Sequence, residues 1–188
     1  MPTKTPFTGN ADALLTDNPL ALMLGMLLDQ QVPMEWAFGA PALLKERLGG
    51  SLDAPTIAKM SPDALEAIFR AKPALHRYPG SMAKRAHALC VSLVEHYDGR
   101  ADNVWRGVAS GDELLERVLA LPGFGKDKAR IFVALLGKRL GVRPPGWEDV
   151  AADWASIADV DTYERIGEIR EKKRAVKAEK KAAPKPAE

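Results

Sequence analysis

Leu119–Gly141 reads LALPGFGKDKARIFVALLGKRLG. Apolar residues recur at helical spacing on both sides of Leu121-Pro122-Gly123-Phe124-Gly125, so this stretch predicts two helices joined by a tight hairpin. Pro122 ends the first helix, because its ring blocks the next turn and it lacks an N–H. Gly123 and Gly125 permit positive φ and leave the backbone bare. Phe124, between them, is expected to turn into the core and anchor the hairpin. The second helix opens at Lys126, so the N–H groups of Gly125 and its neighbours form an anion cradle at a helix N-terminus. Lys126 and Lys128 are expected to add charge at its lip. Such a cradle grips a phosphate of a DNA backbone without reading bases.

Outward from the hairpin, the chain keeps the helical period. Asn18 precedes Pro19 as an N-cap before a helix over 20–31, and a third helix over 33–48 stops at Gly49-Gly50. DAPTIAKM and SPDALEAIFRA each start with a capping residue beside a proline. Further helices are expected over 81–97, 112–119, 126–140 and 147–158, with a last one starting at Val160. There is no sustained two-residue alternation and no Asn-Gly or Asp-Gly hairpin, so the class is all-α. Residues 1–166 are expected to form one domain, and 167–188 a basic tail. From Glu168 to Glu188 eight Lys and Arg face four Glu, with no aromatic residue. That composition cannot bury a core and predicts a solvated helix fraying into disorder. Its lysines suit salt-dependent, sequence-independent binding to DNA.

Composition narrows the chemistry. The chain has 188 residues, 46% of them hydrophobic, and a net charge of +2, so any affinity for nucleic acid must come from local charge. Cys90 is the only cysteine, which excludes an intramolecular disulfide, a cysteine-ligated iron–sulfur cluster and a CxxC zinc site. His76, His87 and His96 lack metal-ligand spacing, so no metal site is expected from side chains. No apolar stretch is long enough to span a bilayer, and the opening MPTKTPFTGNAD has no signal-peptide core. A soluble, cytoplasmic protein is expected.

Three stretches in order carry a resemblance. LALMLGMLLDQQVPMEWAF holds Gln30-Gln31, LHRYPGSMAKRAHALCVSLVEHYDG holds Lys84 and Ala86, and LPGFGKDKA forms the hairpin. Together they resemble the helix-hairpin-helix-GPD superfamily of base-excision DNA glycosylases over about residues 19–147. The resemblance implies a helix-hairpin-helix bundle acting as a monomer in the nucleoid on double-stranded DNA with a damaged base. It implies that the hairpin (Gly123, Phe124, Gly125, Lys126, Lys128) holds the backbone, and that Gln30 or Gln31 fills the stack left by an extruded base. It also implies a monovalent cation on the hairpin carbonyls.

The family's chemistry maps less evenly. Its members use an aspartate some twenty-odd residues past the hairpin to stabilise a cationic sugar or position a water. Asp149, 24 residues after Gly125, has the expected spacing, but the preceding RPPGWE is not the family's apolar-apolar-Asp entry. Asp161, in a VDT that is locally closer, needs an insertion; Asp153 and Asp159 are further options. Trp147, beside Asp149, is the aromatic candidate for a base pocket among Trp36, Trp105, Trp147 and Trp154. Asp127 stands where bifunctional members carry a Schiff-base lysine, so the implied activity is a monofunctional hydrolase without lyase chemistry. A non-catalytic DNA-binding module is the alternative.

Overall fold

A computed structural model describes residues 10–161 and 163–182. The ends of the expected domain and tail, residues 1–9 and 183–188, lie outside the described residues, as does Thr162. Among the described residues there is no strand. The helices are α1 (Asn10–Asp17), α2 (Pro19–Leu28), α3 (Met34–Arg47), α4 (Ala54–Lys59), α5 (Pro62–Arg70), α6 (Pro79–Tyr97), α7 (Gly111–Leu119), α8 (Lys126–Arg139), α9 (Trp147–Val150) and α10 (Tyr163–Ala182). The all-α expectation holds.

Side-chain caps start four of the helices, three of them at the capping residues expected from the sequence and the fourth, at Ser110, not foreseen. Asn18, Asp53, Ser61 and Ser110 each accept a backbone N–H in the first turn of α2, α4, α5 and α7. Proline takes an early position in α2, α4, α5 and α6, where its missing N–H costs nothing. Helix α2 is buried along nearly its whole length, from Leu20 to Leu28. It packs on α3, α1 and α6, and so forms the axis of the core. Helices α4 and α5 pack on α6, while α7, α9 and the turn at 157–159 pack on α8. Close approach sets the α8 side: a Cβ on Gly137 would lie 2.2 Å from the Trp147 ring.

Several boundaries differ from the sequence expectation, among them the last helix, which starts at Tyr163 because Val160 is extended after the turn at 157–159. Helix α2 stops at Leu28 instead of Gln31, because the Leu28 carbonyl accepts from His76 and Gln31 takes a left-handed φ of 58°. The expected helix 147–158 is one turn, α9, and a 3-10 turn at Ile157–Asp159. Arg130 explains the break: it donates to the carbonyls of Val150 and Ala151, and its own carbonyl accepts the Ala152 N–H. Those contacts hold 150–152 off the helical path. The tail expected from 167 is helical to Ala182, continuous with Ile166 of the expected domain; near its start Ile169 is buried and Arg170 pairs with Glu35 on α3. An isoleucine three residues after another supplies the small apolar face that docks α10.

Candidate nucleic-acid interface

The α7–α8 hairpin rests on the end of α2. Gly123 has φ +87°, and a Cβ there would meet Leu27 Cδ1 at 2.3 Å. Only glycine allows both the conformation and the contact. Phe124 is buried and meets Phe132 edge-on at 5.5 Å. It therefore anchors the turn from inside, as expected, and presents no ring to a ligand. Gly125 is exposed, with nothing within 4 Å of its Cβ position. It is the N-cap of α8, and no side-chain hydrogen bond caps that helix. The first intrahelical bond runs from the Ala129 N–H to the Gly125 carbonyl, which leaves the amides of Lys126, Asp127 and Lys128 ahead of it.

The two lysines diverge. Lys126 is exposed at the lip, whereas Lys128 is half-buried and turns inward, with Nζ donating to the Leu27 carbonyl at 2.8 Å. Two residues along a helix rotate a side chain by about 200°, which separates them. The expectation of Lys128 at the lip is corrected accordingly. Burial pulls its amine down to about 8, Arg85 pushes the same way, and Asp29 opposes. Lys128 and His76 together satisfy the last carbonyls of α2: Leu27 is taken by the lysine, and Leu28 by His76 Nε2 at 3.1 Å.

These contacts open a cleft of about 690 Å³ between the end of α2 and the hairpin. Asp29, Gln30, Gly123, Gly125, Lys126 and Lys128 line it, with Arg85 from α6 and Lys173 from α10. Gln30 is held by Arg85, whose Nη1 donates to Oε1 at 2.6 Å, while its own carbonyl accepts from His76. Gln31 is exposed and does not line the cleft. Burial raises the Asp29 carboxyl above its usual range; Lys173 and Lys128 oppose the shift, and Glu35 adds to it. Sequence spacing marks neither Asp29 nor Lys173. The signal present is an acidic residue directly before Gln30-Gln31 in an otherwise apolar run.

The other expected site residues lie elsewhere. Trp147 packs on Gly137, eleven residues and about 16 Å along α8 from Lys126. Asp149 is exposed on the same short helix, and neither residue lines the cleft. Asp161 is an exposed partner of Arg165. Asp159 closes a capping box with Ser156 and pairs with Lys138 at 2.6 Å. Asp153 returns toward the hairpin, 3.9 Å from Arg130, with its side chain 86% exposed. Trp154 lines a neighbouring depression with Asp127 and Lys173 and carries the Arg130 guanidinium 4.8 Å from its centroid.

Among the described residues no group of side chains is placed to hold a metal ion, and no helix is long and apolar enough to cross a membrane. Of the hairpin carbonyls, that of Leu121 already accepts the Phe124 N–H. No family model matches the chain, and no curated protein matches it.

Proposed function

We propose that the chain is a base-excision repair protein of the helix-hairpin-helix glycosylase type. It binds double-stranded DNA through the α7–α8 hairpin and hydrolyses the N-glycosidic bond of a damaged base. One observation carries the reading: the uncapped start of α8 and Gln30 open into the same cleft, with four cationic side chains around it. A phosphate on the amides at 126–128 places the duplex beside Gln30. Extrusion of a base leaves a gap in the stack that a side chain must fill, and Gln30 stands at the cleft wall to do so. The cleft volume suits one extruded nucleotide.

The chemistry is hydrolytic in this reading. Asp127 stands where bifunctional members of the resembled family carry a lyase lysine, and the amine of Lys128 is held on the Leu27 carbonyl. A second reading, a DNA-binding module without catalysis, draws on the position of Asp149, Asp161 and Trp147 outside the cleft. Duplexes bearing uracil, alkylated purines or oxidised bases separate the two. Base release on at least one lesion, without a borohydride-trapped cross-link to abasic DNA, is the expected result. Tight duplex binding with no release on any lesion favours the module. Binding that is unchanged in Gly125→Ala and Lys126→Glu overturns the hairpin as the DNA contact.

A further inference from the structure

We propose that Asp29 is the catalytic carboxylate of the cleft, facing the deoxyribose of the extruded nucleotide. This rests on the glycosylase reading above and names the group that performs its bond-breaking step.

Position selects Asp29. It follows the last residue of α2, directly precedes Gln30, and lines the cleft together with Gly123, Gly125 and Lys128. A nucleotide whose phosphate sits on the start of α8 and whose vacated stack is filled by Gln30 has its sugar between those two points. Asp29 lines the same cleft as both. The competing carboxylates are elsewhere or are spent. Asp127 lines the cleft but is exposed to bulk water on the first turn of α8. Asp159 is consumed by Ser156 and Lys138, and Asp161 by Arg165. Asp153 projects into solvent beside Arg130. Asp29 is half-buried at the edge of the cleft.

Its surroundings suit the step. Glu35 from α3, Arg85 from α6, Lys126, Asp127 and Lys128 from α8, and Arg170, Lys173 and Arg174 from α10 are charged groups around it. Phosphates of a bound duplex neutralise the cations and leave the carboxylate as the negative group nearest the sugar. The C1′–N bond breaks with its electron pair leaving on the base nitrogen, and positive charge develops on the sugar. Asp29 stabilises that charge and accepts a proton from the water whose oxygen bonds to C1′. The proton then passes to the departed base nitrogen, so water is the only co-reactant. Burial that raises the Asp29 carboxyl makes it a better proton acceptor.

The test is single-turnover base release from the lesion that wild type processes, with duplex affinity and thermal melting measured beside it. Asp29→Asn is expected to slow release at least about a hundredfold. Its duplex affinity should be unchanged or tighter, since the change removes a negative charge from a cationic cleft. Asp29→Glu, which keeps the acid, should retain part of the rate with a displaced acid limb in its pH profile; it also serves if the asparagine variant folds poorly. Wild-type release by both Asp29 variants, with loss in Asp153→Asn, Asp149→Asn or Asp161→Asn, overturns the assignment and leaves the glycosylase reading standing. Absence of release by wild type on every lesion overturns both.

Discussion

Gly123 and Gly125 are two residues apart and answer to different forces. Gly123 sits at φ +87° against Leu27, so Gly123→Ala meets both backbone strain and a 2.3 Å clash. A loss of at least about 1–2 kcal/mol in unfolding free energy is expected from the left-handed conformation alone. Gly125 has no neighbour within 4 Å of its Cβ position and an ordinary φ of −75°. Gly125→Ala should therefore melt like wild type while binding duplex more weakly, because the new methyl group stands where a phosphate approaches the amides. Urea unfolding together with a binding titration tests the pair; equal stability losses in the two variants would refute this division. His76 carries a second prediction. Its Nδ1 accepts the Tyr78 N–H at 3.0 Å, so Nε2 holds the hydrogen and donates to the carbonyls of Leu28 and Gln30. Protonation of Nδ1 expels the Tyr78 amide, and burial holds the ring's pKa below its usual 6.5. The unfolded chain then takes up a proton that the folded chain resists. Stability from this group is complete above about pH 6.5 and is lost as pH falls through the lower folded value. Unfolding measured from about pH 7 to 5 should show a steeper loss in wild type than in His76→Gln, and parallel curves would exclude His76 as the source.

Among the elements, α10 departs furthest from what its composition suggests. A run of lysines and glutamates with few apolar residues reads as a solvated end. Ile166 and Ile169 nevertheless reach the core, and Arg170 pairs with Glu35. The ion pair is partly exposed and is worth at most about 1 kcal/mol. The buried isoleucines contribute more, and Ile169→Ala should cost about 2 kcal/mol or more by the usual cost of emptying a buried site. Docking of this first stretch carries Lys172, Lys173 and Lys177 to the hairpin side of the molecule, around Asp127 and Trp154. Under the proposed function the element is then an arm facing the duplex, its direction set by two apolar side chains. Lys172→Ala with Lys177→Ala should weaken duplex binding about equally for every sequence. It should also lower the slope of log affinity against log salt by about one for each phosphate that is no longer neutralised. An unchanged slope would show that α10 points away from the duplex. The α7–α8 hairpin behaves in the opposite way. Its glycines, proline and phenylalanine act within five residues, so its form is legible without knowledge of its neighbours.

In the whole molecule, a chain with net charge +2 concentrates Arg85, Lys126, Lys128 and Lys173 around one cleft. The global field is weak, so the proposed affinity for a duplex depends on this local convergence. Helix class, cap positions, the excluded cysteine chemistry and the hairpin follow from the order of residues alone. Each depends on interactions within a few positions: a cap on the third amide, a proline at a first turn, a glycine at a positive φ. The glutamine element is legible in part, since Gln30 lines the cleft while Gln31, with its left-handed backbone, is outside it. Spacing past the hairpin points to Asp149 and its neighbour Trp147, and the local VDT pattern to Asp161, but neither registers that Arg130 captures the carbonyls of Val150 and Ala151 and redirects the chain. What only packing decided is the company of Asp29. Lys128 reaches the carbonyl of Leu27 across a separation of 101 residues, and Lys173 arrives from a helix docked by two isoleucines. Contacts of that range depend on how closely Gly123 lets the hairpin approach α2, a distance set by the packed core and absent from any local pattern.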